Sequence, residues 1–137
     1  MCDILLIEDE EGVAKVYAAL LRGEAHKIGW PCSITICPSI EGAEKRVEQH
    51  KYDAVLLDLK LADSTAEQTA AEVDRLSEIW PPIVVLTFNA QETLRRQCLL
   101  TGAEDFITKS LMQAYPDIVL ERIYNATVRH ERQKQAA

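Results

Sequence analysis

Three apolar runs, Ile4-Leu5-Leu6-Ile7, Ala54-Val55-Leu56-Leu57 and Ile83-Val84-Val85-Leu86, carry no polar alternation. Short unbroken runs of this kind predict strands buried on both faces, as in the middle of a parallel sheet. With two flanking β-prone segments they make five expected strands, at 3–7, 33–37, 54–57, 83–87 and 105–108. Between the strands, apolar residues return at helical spacing. Val13, Val16, Tyr17, Leu20 and Leu21 form one stripe, Ala43, Val47 and Tyr52 a second, Val73, Leu76 and Ile79 a third, and Leu94, Cys98 and Leu99 a fourth. A last amphipathic segment carries Ile118, Leu120, Ile123, Tyr124 and Val128. Gly29-Trp30-Pro31, Pro81-Pro82 and Gly102 punctuate the joins.

Strands alternating with helices predict an α/β, doubly wound, flavodoxin-like sheet of five parallel strands, with helices on both faces and strand order 2-1-3-4-5. One domain over 1–130 and a polar C-terminal tail over 131–137 account for the length. With 47% hydrophobic and 27% charged residues, 137 residues can bury a core. Lys plus Arg total 15 against 22 Asp plus Glu, a net charge of −7, which disfavours direct binding to nucleic acid. The apolar runs fall far short of the roughly 20 residues that span a bilayer, and the one near Met1 is too short for a secretory leader. No membrane association and a reducing, cytoplasmic setting are therefore expected, with Cys2, Cys32, Cys37 and Cys98 as free, buried thiols. His26, His50 and His130 show no zinc-ligand spacing.

In a doubly wound sheet the site lies at the carboxyl ends of the strands. The first strand ends in Glu8-Asp9, the third in Asp58, the fourth in Thr87 and the fifth in Lys109. Carboxylates gathered on one rim raise one another's pKa unless a cation shares the site. A hard divalent ion relieves this, and magnesium, or manganese, suits a site of carboxylates, waters and phosphate oxygens. Nucleotide-binding α/β proteins place a glycine-rich loop after the first strand. Here Glu8-Asp9-Glu10-Glu11 stands in its place, which repels bare phosphate and welcomes a cation.

These runs, with Gly102-Ala103-Glu104-Asp105-Phe106-Ile107-Thr108-Lys109, resemble the response-regulator receiver domain of two-component signalling over nearly the whole chain. The resemblance implies that Asp58 is the phosphoacceptor and that Glu8 and Asp9 are the metal-binding acidic pair, joined by Asp58 and by the Lys60 backbone carbonyl. It implies that Thr87 hydrogen-bonds the phosphoryl group, that Lys109 pairs with another of its oxygens, and that Phe106 is the switch aromatic coupled to Thr87. Implied partners are a sensor histidine kinase or histidine phosphotransfer protein and a downstream protein, with homodimerisation through the fourth helix, fifth strand and fifth helix. Phosphorylation adds charge and acceptor oxygens, which biases a two-state loop. Thr87 drawn inward would vacate space for Phe106 and remodel that same face. A lone aromatic on a strand is more often an ordinary core residue, and Glu8-Asp9 can also be read as caps of the first helix.

Three positions depart from the family pattern. Ser110 stands where a proline with a cis peptide is usual, so a trans bond is expected. Phe88 is large where a small residue is usual and is expected to crowd the phosphoryl donor and slow phosphorylation. The loop Leu59-Lys60-Leu61-Ala62-Asp63-Ser64-Thr65 lacks the usual proline and glycine, and the Lys60 ammonium is a candidate competitor for the ion. The sequence therefore reads first as a phosphoacceptor switch with weak self-catalysed phosphorylation and dephosphorylation, not an enzyme of metabolism. A phosphorylation-independent pseudo-receiver is the alternative. A haloacid-dehalogenase-type phosphatase would need a second Asp where Lys60 stands.

Overall fold

The computed structural model describes residues 2–62, 64–88 and 91–136. Its elements run β1 (Cys2–Ile7), α1 (Glu11–Lys27), β2 (Cys32–Cys37), α2 (Ile40–Gln49), β3 (Ala54–Leu57), α3 (Ala66–Ser77), β4 (Ile83–Thr87), α4 (Glu92–Leu100), β5 (Asp105–Thr108), α5 (Lys109–Ala114) and α6 (Pro116–Ala136). The five strands pair in parallel throughout and the sheet order is β2-β1-β3-β4-β5, the common order expected of a doubly wound sheet of this size.

Alternate residues of each central strand feed two separate cores. Ile4, Leu6, Ala54, Leu56, Val84, Leu86 and Ile107 meet Tyr17, Leu21, Leu120 and Ile123 of α1 and α6. Leu5, Ile7, Val55, Leu57, Ile83, Val85 and Phe106 meet Ala43, Val73, Leu76, Leu94 and Cys98 of α2, α3 and α4. Because each face has its own helices, no position in these strands can be polar without a partner. All four cysteines are free and buried.

Local chemistry sets the element ends. In α3, Thr65 accepts the Gln68 N–H at 3.1 Å while Gln68 accepts the Thr65 N–H at 2.8 Å, a reciprocal capping box. Gly102 turns the chain into β5 with φ of 123°, and a Cβ there would collide with the Ser77 side chain. The last amphipathic segment forms one helix, α6, and a short helix not expected from the pattern, α5, precedes it, so the fifth helix of the sequence reading is α6. Tyr115 takes φ −140° and ψ 67° because Pro116 disfavours helical geometry in the residue before it, and Pro116 then opens α6. That helix continues through 131–136, so the polar tail extends it.

Candidate functional site

Two hydrogen bonds beyond the strand bounds place the acidic rim. The Glu8 N–H donates to the Cys37 carbonyl at 3.0 Å and the Asp58 N–H to the Ile7 carbonyl at 3.1 Å, so both residues leave the sheet still tied to a neighbouring strand. Carboxylate oxygens of Glu8, Asp9 and Asp58 all lie within 4.8 Å of one another. Glu8 and Asp58 are buried, while Asp9 is partly exposed. The capping reading of the pair does not hold: Glu10 is the N-cap of α1, and no side-chain cap bond forms there.

Lys109 closes the cluster from the other side of the chain. The Thr108 side chain accepts the Leu111 N–H at 3.3 Å, so α5 begins at Lys109 itself. From this start the buried ammonium donates to Glu8 Oε1 at 2.7 Å and to Asp58 Oδ2 at 3.0 Å. Burial disfavours the charged Lys109, but its bonds to Glu8 and Asp58 outweigh that and hold its pKa above the ordinary value. The Glu8 pKa rises as well, which for a carboxyl group favours the neutral form. Burial first, and then the adjoining Asp58 carboxylate, push it up to about 7 against the opposing pull of Lys109.

Asp58 is further oriented by the Lys60 N–H, which donates to its Oδ1 at 3.2 Å; the Lys60 side chain is exposed. Leu59 and Leu61 are buried and anchor the loop, and Ser64 Oγ lies 2.7 Å from Thr69 Oγ1. Asp63 lies outside the described residues. Thr87 ends β4, is buried, and shares the sheet face of Val85 and Phe106 by strand alternation. Phe106 sits opposite Val85 in the register, one pleat behind Thr87, and is buried in the core beneath α3 and α4. No cis peptide occurs among the described residues, as expected without a proline after Lys109.

Two contacts were not legible beforehand. Phe88 is exposed, yet its ring centroid lies 4.8 Å from Lys109 Nζ. Tyr17, read only as part of an apolar stripe, is buried with its hydroxyl accepting from Gln113 Nε2 at 3.4 Å. Burial raises its pKa against the opposing effect of the Gln113 bond. The one available signal was that a buried tyrosine needs a partner for its hydroxyl.

The donor set fits a hard divalent cation. Among the described residues, Glu8 Oε2 is a buried carboxylate oxygen with no hydrogen-bond partner, and it belongs to a cluster of three carboxylates.

Comparison with known proteins bears on this geometry. A family model described as the response regulator receiver domain matches residues 4–115. Among curated proteins, the transcriptional regulatory protein ZraR of Escherichia coli is 28% identical over 109 residues, covering 80% of this chain and 23% of that protein. The transcriptional regulatory protein TcrA of Mycobacterium tuberculosis is 31% identical over 106 residues, covering 77% of this chain and 39% of that protein. The chain thus spans well under half the length of either relative. Among solved structures, the BeF3-activated N-terminal receiver domain of Klebsiella pneumoniae RstA superposes with a TM-score of 0.73 at 28% identity, covering 91% of this chain and 97% of that one.

Proposed function

The chain belongs to the response regulator receiver domain family, and from that premise we propose that Asp58 accepts a phosphoryl group from a phosphohistidine of a sensor histidine kinase or histidine phosphotransfer protein. One observation carries the reading: the buried Lys109 ammonium bonds both Glu8 and Asp58 beside a carboxylate oxygen that has no partner. Such a cluster is costly unless it serves chemistry or holds a cation.

In the reaction an Asp58 oxygen attacks phosphorus, the bond from phosphorus to the histidine nitrogen breaks, and the imidazole leaves with its electron pair and takes a proton. The Lys60 N–H orients the nucleophile. Lys109 neutralises charge gathered on the transferred group, and the Thr87 hydroxyl receives one of its oxygens as a partner. Magnesium, or manganese, held by Glu8, Asp9, Asp58 and the Lys60 carbonyl, would supply Lewis-acid stabilisation of the phosphoryl oxygens. Slow hydrolysis of the acyl phosphate then resets the switch, so the chain acts as a cytoplasmic signalling element, not a metabolic enzyme.

The output would pass through α4, β5 and α6 to a downstream protein or a second copy, with Phe106 following Thr87. Direct contact with nucleic acid is not part of this reading, given the net charge of −7. The pseudo-receiver reading has one observation in its favour, the Phe88 ring beside Lys109. Incubation with acetyl phosphate and magnesium, followed by intact mass measurement, separates the two. The phosphoacceptor reading expects a phosphate adduct that vanishes in Asp58→Ala; absence of any adduct favours the alternative.

A further inference from the structure

We propose that the Phe88 ring gates Lys109: it engages the ammonium in the resting protein and must leave before that ammonium can bond a phosphoryl oxygen. This deepens the phosphoacceptor reading and rests on it. A lysine ammonium has three N–H groups. Glu8 Oε1 and Asp58 Oδ2 receive two of them, at 2.7 and 3.0 Å. The Phe88 ring centroid, 4.8 Å from Nζ, lies inside the roughly 6 Å over which an ammonium is attracted to an aromatic face. The remaining donor therefore has a partner too, and the cation is saturated.

Exposure gives the arrangement its direction. Lys109 is 5% exposed and Phe88 is 68% exposed, so the ring forms the solvent side of the ammonium. A phosphoryl group arriving on Asp58 brings acceptor oxygens into a site whose lysine has no free donor. Either a carboxylate is released or the ring swings out, and the ring is held more weakly, because the two carboxylate bonds are short and buried. Phe88 follows the last residue of β4, and an exposed side chain changes rotamer in picoseconds to nanoseconds. The gate thus acts through the free energy of its contact and not as a slow step. Phe88 is a positioning residue, working through Lys109.

The test follows phosphoryl uptake from acetyl phosphate with magnesium, in which an Asp58 oxygen displaces acetate from phosphorus. Phe88→Ala and Phe88→Leu are both expected to be phosphorylated about tenfold faster than the parent, equivalent to about 1.4 kcal/mol, and Phe88→Tyr within about twofold of it. Equal rates in the parent, Phe88→Ala and Phe88→Leu overturn the gate. Acceleration in Phe88→Ala alone assigns the effect to bulk and overturns the role of the ring face. Independently of any reaction, the Lys109 Cε protons should show an upfield ring-current NMR shift in the parent and in Phe88→Tyr, lost in the other two. An unshifted signal in the parent overturns the contact whatever the rates. If no variant forms an adduct while the ring-current shift is present, the phosphoacceptor reading itself fails and the inference falls with it.

Discussion

Lys109 and Glu8, 101 positions apart in the chain, form a buried ion pair of 2.7 Å at the carboxyl rim of the sheet. Asp58 shares the same ammonium at 3.0 Å, which makes Lys109 the counter-ion of two buried carboxylates. Breaking a buried pair by removing one partner leaves uncompensated charge and typically costs about 3–5 kcal/mol. Lys109→Met is therefore expected to lose stability on that scale at pH 8 without divalent ions. The loss should shrink at pH 5, where a carboxyl group can take up a proton instead. Urea unfolding at both pH values checks this, and equal losses would contradict it.

The raised pKa of Glu8 fixes a direction for pH dependence. Its folded value of about 7 lies above the ordinary 4.5, so the folded protein binds this proton more tightly than the unfolded chain. The corresponding stability is present below about 4.5 and is lost as pH rises through about 7. Denaturation midpoints in the presence of chelator should fall across that window for the parent, and Glu8→Gln should lack this component. Magnesium affinity should climb over the same range, because the cation competes with the proton; calorimetric titration at pH 6 and pH 8 gives the comparison.

Thr87 and Phe106 share one face of the sheet on adjacent strands, a pleat apart. If the Thr87 hydroxyl transmits phosphorylation to that face, Thr87→Val should still accept beryllofluoride, an acyl phosphate mimic, while backbone NMR shifts over α4, β5 and α6 shrink by more than half. Undiminished shifts would remove Thr87 from the coupling.

Gly102 provides a control remote from the chemistry. Its φ of 123° and the Ser77 side chain in the way of a Cβ leave no room for alanine. Gly102→Ala should lower stability by about 1–3 kcal/mol, the usual scale for strain and overpacking. Magnesium affinity should remain unchanged. Thermal unfolding and titration of the same sample measure both.

The strand pattern was readable because burial on both faces leaves a central strand no choice but unbroken apolar residues. Ala54–Leu57, Ile83–Thr87 and Asp105–Thr108 coincide with the residues expected from that rule, and β1 and β2 each begin one residue earlier. The short helix α5 escaped, because its six residues are too few to show an apolar period of their own. The partners of Tyr17 and Phe88 escaped for a different reason. A buried phenol and an exposed ring owe their meaning to the neighbours that the fold supplies, Gln113 in one case and Lys109 in the other.

From residue types alone, then, came the five strands, their burial, the family resemblance and a polar residue at each relevant strand end. Tertiary structure decided which of those ends touch, which carboxylate oxygen is left without a partner, and which aromatic ring lies against the lysine. The physical reason is one of range. Hydrophobic periodicity reports on a few neighbouring residues, whereas hydrogen bonds act within about 3 Å, and the distances that carry the chemistry exist only after strands far apart in sequence lie side by side.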